Sequence, residues 1–177
     1  DLRPSNILLD RDGRVWLTDF GSAINGNTPD YTFVRREEAN SSHWLAPEVV
    51  RRSQAHYLAN GKGARPTTPQ QTIDKRADIY SLGAILYLLL LGEPPFDLKQ
   101  ARHFFEVLPP QLDKLTSFEP YIAQAIRRCL AAEPEERFGT IAELRHSLNL
   151  PLPPTQSAQA RAELGELVQM IAAELKR

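Results

Sequence analysis

The sequence predicts an α+β fold, mostly helical, with one small β-hairpin near its start. Three observations lead there. Ile7-Leu8-Leu9 and Val15-Trp16-Leu17 are short apolar runs on either side of Asp10-Arg11-Asp12-Gly13, which has the turn chemistry of a hairpin. Ile79 to Leu91 is a 13-residue apolar run broken by Ser81 and Gly83, long enough for a buried central helix. Ile122, Ala125, Ile126, Cys129 and Leu130 recur at helical spacing and mark an amphipathic helix.

Composition bounds the rest. The 177 residues are 42% hydrophobic and 24% charged, ordinary for a soluble globular domain with a sizeable core. With 21 basic and 22 acidic side chains the formal charge is -1, which argues against a general nucleic-acid binder. The single cysteine excludes an internal disulfide framework and fits a reducing, cytoplasmic setting. The longest apolar run falls short of the roughly 18 residues a membrane span needs. Nothing at the start has the form of a signal peptide, and no internal repeat is visible.

Taken in order, Gly13 suits the positive φ of the hairpin turn. Residues 22–42 lack any sustained period and read as a long loop. A short helix is expected over 46–53, with Pro47 in its first turn. Residues 54–73 contain Asn60-Gly61, Gly63, Pro66 and Pro69, and read as an exposed insertion loop without helical repeat. Asp74 or Asp78 is expected to cap the central helix, which runs through Leu91 and stops at Gly92 and Pro94-Pro95. Further helices are expected near 99–106, 119–132 and 140–148. A Pro-rich linker over 151–156 leads to a C-terminal amphipathic helix over 157–177, with Leu164, Leu167, Val168, Ile171 and Leu175 as its apolar stripe.

The chemistry-bearing residues gather around the hairpin. Asp1 and Asn6 precede the first strand, and Asp19-Phe20-Gly21 comes after the second. Pairing of the strands brings Asn6 and Asp19 to one end of the sheet, as two oxygen donors for a hard cation. Mg2+ is usually held by one or two such oxygens together with substrate phosphates. The four histidines have no metal-ligand spacing, and Cys129, on an apolar helix face, reads as a small core residue.

Five segments in order carry a resemblance. Asp1-Leu2-Arg3-Pro4-Ser5-Asn6, Asp19-Phe20-Gly21, Ala46-Pro47-Glu48, Asp78-Ile79-Tyr80-Ser81-Leu82-Gly83 and Arg137 resemble the protein kinase superfamily, in the C-terminal part of its catalytic domain. The resemblance covers Asp1 to about residue 150. It implies a kinase-like C-terminal lobe with the small lobe absent, residues 1–150 forming this domain portion. It implies Asp1 as catalytic base and Arg3, where the family usually has Lys, facing the transferred phosphate. Asn6 and Asp19 would hold Mg2+, Asp19 bridging the phosphates of ATP. Leu8, with Ile7 and Leu9, would be buried as the floor beneath adenine. Phe20 would pack under the small lobe, and Gly21 would let that loop change state. Glu48 and Arg137 would form a buried ion pair. Asp78 would cap the central helix and tie it to the catalytic loop, and Ile85 and Leu89 would pack the hydrophobic spine.

Pro4 fits the serine/threonine pattern, which implies protein substrates with Ser/Thr acceptors. Ser41 keeps the hydroxyl expected to reach the catalytic Asp, whereas Asn40 and Trp44 depart from the family's Gly and Tyr. Thr28, Thr32, Ser41 and Ser42 fall in the activation segment, where phosphorylation orders loops by pairing with cations. Ser5 and Leu88 stand where basic-directed members carry acids, so a preference for arginine-rich peptides has no support. The glycine-rich loop and nucleotide lysine lie upstream of Asp1 in the family. The chain is therefore expected to need that small lobe as its partner, and to be inactive alone. The alternative is a pseudokinase-like scaffold, motivated by Arg3, Asn40 and Trp44.

Overall fold

The computed structural model describes residues 1–23, 43–60 (side chains through Ala55), 73–96 and 107–150. Near the start, β1 (Ile7–Leu9) and β2 (Val15–Leu17) pair antiparallel with Ile7 opposite Leu17, Leu8 opposite Trp16 and Leu9 opposite Val15. The turn depends on Asp10 and Gly13. Gly13 takes φ 78°, and its N–H donates to the Asp10 carbonyl. The Asp10 carboxylate accepts from the Asp12 and Arg14 amides and from the Trp16 indole at 2.9, 2.8 and 3.1 Å. Those bonds hold its carboxyl below the ordinary value, the indole bond contributing most. One side chain thus fixes both the turn and the rotamer of the aromatic residue beyond it.

Four helices complete the described chain: α1 (Pro47–Asn60), α2 (Arg76–Leu91), α3 (Pro120–Cys129) and α4 (Ile141–Ser147). α1 runs past Ser53, the end expected from the sequence. Gln54 to Asn60 contains no breaker before Gly61, so the start of the expected insertion is helical. Before α2 the Asp74 carboxylate accepts from the Arg76 amide at 2.8 Å, one residue ahead of the N-cap Lys75, whose own side chain makes no cap bond. Asp78 lies within the first turn, exposed, and does not cap. Gly92 closes α2 in the left-handed region, its N–H on the Leu88 carbonyl. At α4, Thr140 and Glu143 form a reciprocal capping box, and Asn149 at φ 53° ends the helix.

α2 is the axis of the lobe. It packs chiefly on α3, and Gly83 permits the approach: a Cβ there would stand 2.4 Å from the Cys129 Cβ. Around α2 lie Ala46, Val49, Tyr80, Ala84, Tyr87, Phe96, Leu115, Ile126 and Leu130, with Ile79, Ala125, Cys129, Phe138 and Leu144 as a second cluster. Tyr87 is tied by its hydroxyl to the Gln111 carbonyl at 2.7 Å. Cys129 is fully buried and its thiol is pushed up to about 12 by desolvation, in keeping with a packing role.

Two expected burials are corrected. Leu8 and Leu9 are 51% and 70% exposed, because a two-stranded sheet has no layer of its own and the helices pack on one another. Ile85 is buried, but Leu89, one turn later, is 73% exposed where α2 outruns the core. The loop beyond Ala23, the remainder of the 54–73 insertion beyond Asn60, the expected helix over 99–106, the 151–156 linker and the 157–177 helix lie outside the described residues, apart from Ile73. No described helix is long and apolar enough to cross a membrane.

Candidate active site

The segment before β1 folds into a single 3-10 turn over Pro4–Asn6, with Pro4 supplying the fixed φ. That turn presents Asn6 back toward Asp1. The Asn6 amide nitrogen donates to the Asp1 carbonyl at 2.8 Å and to its carboxylate at 3.3 Å. Its nitrogen is therefore committed, and the amide is held with Oδ1 turned the other way, where the Ser5 hydroxyl donates to it at 3.3 Å. Asn6 is the buried residue of the turn, 6% exposed. The Arg3 guanidinium lies 3.3 Å from the Asp1 carboxylate and forms an ion pair with it. Arginine brings a planar fork where the family's lysine would bring a point charge.

The hairpin register joins this loop to Asp19. The Thr18 amide and hydroxyl both donate to the Asn6 carbonyl, at 2.9 and 3.4 Å, so Asp19 begins immediately beside Asn6. Asp19 itself adopts φ 59° and ψ 63°, left-handed and non-glycine, a conformation that concentrates at functional sites. Its carboxylate lies 3.4 Å from where a Gly21 Cβ would stand, an ordinary van der Waals distance. The chemistry of the donor set fits a divalent cation: one carboxylate from Asp19 and the amide oxygen of Asn6, which accepts only from the Ser5 hydroxyl among the described residues and keeps a second lone pair. Leu8 and Phe20 are exposed at 51% and 68%, so neither the expected adenine floor nor the expected packing of Phe20 has a cover among the described residues.

A second constellation lies in the helical lobe. Arg137 and Glu48 pair in bidentate fashion, both bonds at 2.8 Å, with side chains 0% and 1% exposed. The other Arg137 donors go to the carbonyls of Ala131, Arg76 and Ala132 at 2.9, 3.0 and 3.0 Å. All five N–H groups of the guanidinium are thus used. Its face lies 4.8 Å from the Tyr80 ring centroid. The pair clamps α1, the start of α2 and the loop before α4 at one point. Burial raises the Tyr80 hydroxyl well above its ordinary range.

Asp10 and Thr18 matter to the site beyond what the motifs indicated. Asp10 is legible as a turn residue, and an Asp-x-Asp-Gly turn leading to an aromatic is the signal for its further bond to Trp16. Thr18 locks the two halves of the site through a main-chain carbonyl, which leaves no side-chain signature. Thr28, Thr32, Asn40, Ser41 and Ser42 lie outside the described residues.

Comparison with known proteins bears directly on this arrangement. The model of the protein kinase domain matches residues 1–148. The serine/threonine-protein kinase AtPK1/AtPK6 of Arabidopsis thaliana is 36% identical over 145 residues, 79% of this chain and 26% of that protein. The serine/threonine-protein kinase PknB of Mycolicibacterium smegmatis is 30% identical over 84% of this chain and 22% of its own length. The dual specificity protein kinase Ttk of Danio rerio is 30% identical over 96% of this chain and 17% of its own. The chain thus spans about a quarter or less of the curated relatives it matches. Paired acidic and amide oxygens at the hairpin, a buried Glu48–Arg137 clamp and a match over residues 1–148 place this chain in the protein kinase family.

Proposed function

We propose that this chain is the C-terminal catalytic portion of a protein serine/threonine kinase, which transfers the γ-phosphoryl group of ATP to Ser or Thr hydroxyls of protein substrates. The observation that carries the reading is the joined site: Asn6 bonded to Asp1 on one side and to Thr18, next to Asp19, on the other. Asp1 would orient the acceptor hydroxyl and take its proton as the oxygen–phosphorus bond forms and ADP leaves. Asn6 and Asp19 would hold Mg2+, which when bound supplies charge neutralisation on the phosphates. Arg3, beside Asp1, would set positive charge near the transferred group. Leu8 would lie under adenine. Phosphorylation of Thr28, Thr32, Ser41 or Ser42 would regulate the segment by new pairing with cations. A cytoplasmic setting fits the cysteine usage.

Neither the glycine-rich loop nor the nucleotide lysine of the family occurs in these 177 residues. Transfer would therefore require a small lobe, and the isolated chain is expected to be silent. Asp1→Ala or Asp19→Ala in the protein with its small lobe should lower transfer roughly 10²–10⁴-fold. Normal activity in either variant would sink the reading; robust phosphorylation by the pure 177-residue chain would overturn its expected silence. The second reading is a scaffold without catalysis. Arg3 favours it, since its guanidinium already occupies the Asp1 carboxylate. Mg-ATP binding with no transfer to any Ser/Thr peptide would select it.

A further inference from the structure

The hairpin has two faces, and one of them carries an aromatic side chain in line with the cation donors. Leu8 and Trp16 stand directly opposite each other in the register, so both side chains leave the sheet on the same face, their Cβ atoms about 5 Å apart. The alternation that puts Trp16 on this face puts Thr18 there too, and Thr18 is bonded across to Asn6. Asn6 and Leu8 are about 7 Å apart along the chain. The face therefore runs from the oxygens suited to Mg2+ and phosphate, past Leu8, to the indole of Trp16. That indole is 45% exposed, yet it is held in place. Its one donor is spent on the Asp10 carboxylate at 3.1 Å, and that carboxylate is itself fixed by the Asp12 and Arg14 amides. An exposed ring anchored by a second side chain presents a flat apolar surface at little entropic cost.

We propose that Trp16 is a specificity-determining residue of the nucleotide site, selecting a purine by contact between its indole and the base. This rests on the kinase reading above, which puts Leu8 under adenine. With the phosphates fixed at Asn6 and Asp19, the width of the base decides how much of the Leu8–Trp16 pair it covers. A bicyclic base spans both members of the pair, whereas a single pyrimidine ring stops at Leu8. The hydrogen bond to Asp10 makes the contact selective, because it keeps the indole from swinging in to meet a narrower base. Asp10 is thereby a positioning residue, acting on the base only through Trp16.

Titration calorimetry on the protein with its small lobe tests this, with Mg-ATP, Mg-CTP and Mg-tripolyphosphate as probes. Trp16→Leu keeps an apolar side chain and removes the flat ring. It should weaken Mg-ATP roughly tenfold and leave the other two probes unchanged. Trp16→Phe, which keeps a ring and suits a strand, should retain most of the Mg-ATP affinity. Asp10→Ala releases the indole and should lower Mg-ATP affinity alone, by less than Trp16→Leu does. Mg-tripolyphosphate has no base, so its unchanged binding reports an intact hairpin. Unchanged Mg-ATP affinity in Trp16→Leu overturns the proposal. Equal loss of all three probes in both Trp16 variants also overturns it, by giving Trp16 a purely structural role. If the parent binds no nucleotide, the proposal and the kinase reading fall together. Mg-ATP binding that depends on Trp16 but leads to no transfer upholds the proposal and overturns the kinase reading alone.

Discussion

The hairpin region and the helical lobe use different means of holding shape. The hydrogen bonds described for the hairpin join residues at most 12 positions apart, and its large apolar side chains Leu8, Leu9, Val15, Leu17 and Phe20 are all more than half exposed. In the lobe, Arg137 reaches Glu48 across 89 positions, both buried, and α2 and α3 close on each other at Gly83. Local bonds can define a site's geometry without giving it a core. The residues with chemical potential thus stand on the part that depends on further covering surface, while the lobe carries its own.

Breaking the clamp should have the largest effect. Glu48→Ala or Arg137→Ala leaves one buried charge without its partner, at a cost of about 3–5 kcal/mol. Urea denaturation monitored by far-UV circular dichroism should show the helices unfolding at a much lower midpoint. An unfolding free energy within about 0.5 kcal/mol of the parent would mean that the lobe does not depend on this pair.

Closing the helix contact comes next. Gly83→Ala places a methyl group 2.4 Å from the Cys129 Cβ, where neither helix backbone has room to yield. Overpacking of this kind costs roughly 1–3 kcal/mol, more than the roughly 1 kcal/mol alanine gains over glycine within a helix. The loss should shrink in a Cys129→Gly background. Simple additivity of the two substitutions would show that the contact is not the cause.

The smallest effect should be confined to the hairpin. Asp10 has a depressed folded value, so its stabilising bonds are complete above its ordinary value of 3.8 and are lost as pH falls through the lower folded one. In a Trp44→Phe background, Trp16 fluorescence should therefore change in acid below about pH 4 before helical ellipticity does. Asp10→Asn should abolish that early step and leave the lobe's midpoint unmoved. Coincident changes in both signals would merge the two regions into one cooperative unit.

Legibility in the sequence divides along the same line. The hairpin, its register and the proximity of Asn6 to Asp19 come from alternation and turn chemistry, which are local. The ends of α3 and α4 come from Pro120 and from Thr140 with Glu143. α1 runs further than expected because the breaker pair Asn60-Gly61, and not the loss of amphipathic pattern at Ser53, sets its end. Asp74 and Asp78 have equal capping chemistry, and backbone geometry decides that Asp74 bonds the Arg76 amide. The exposures of Leu8 and Leu89 are illegible for a different reason: burial depends on what covers a residue, not on its own hydrophobicity. The three carbonyls that complete the Arg137 shell leave no trace in side-chain identity at all.

The span of the clamp also sets an order of events during synthesis. At 5–20 residues per second, Glu48 emerges roughly 4–18 s before Arg137 is made. Through that interval the Glu48 carboxylate lacks the Arg137 N–H donors it accepts from in the finished lobe, and burying it would be unfavourable. Final closure of the lobe thus waits on Arg137, a residue near its far end. A nascent chain stalled or cleaved before that point keeps Glu48 without the partner that the finished lobe gives it.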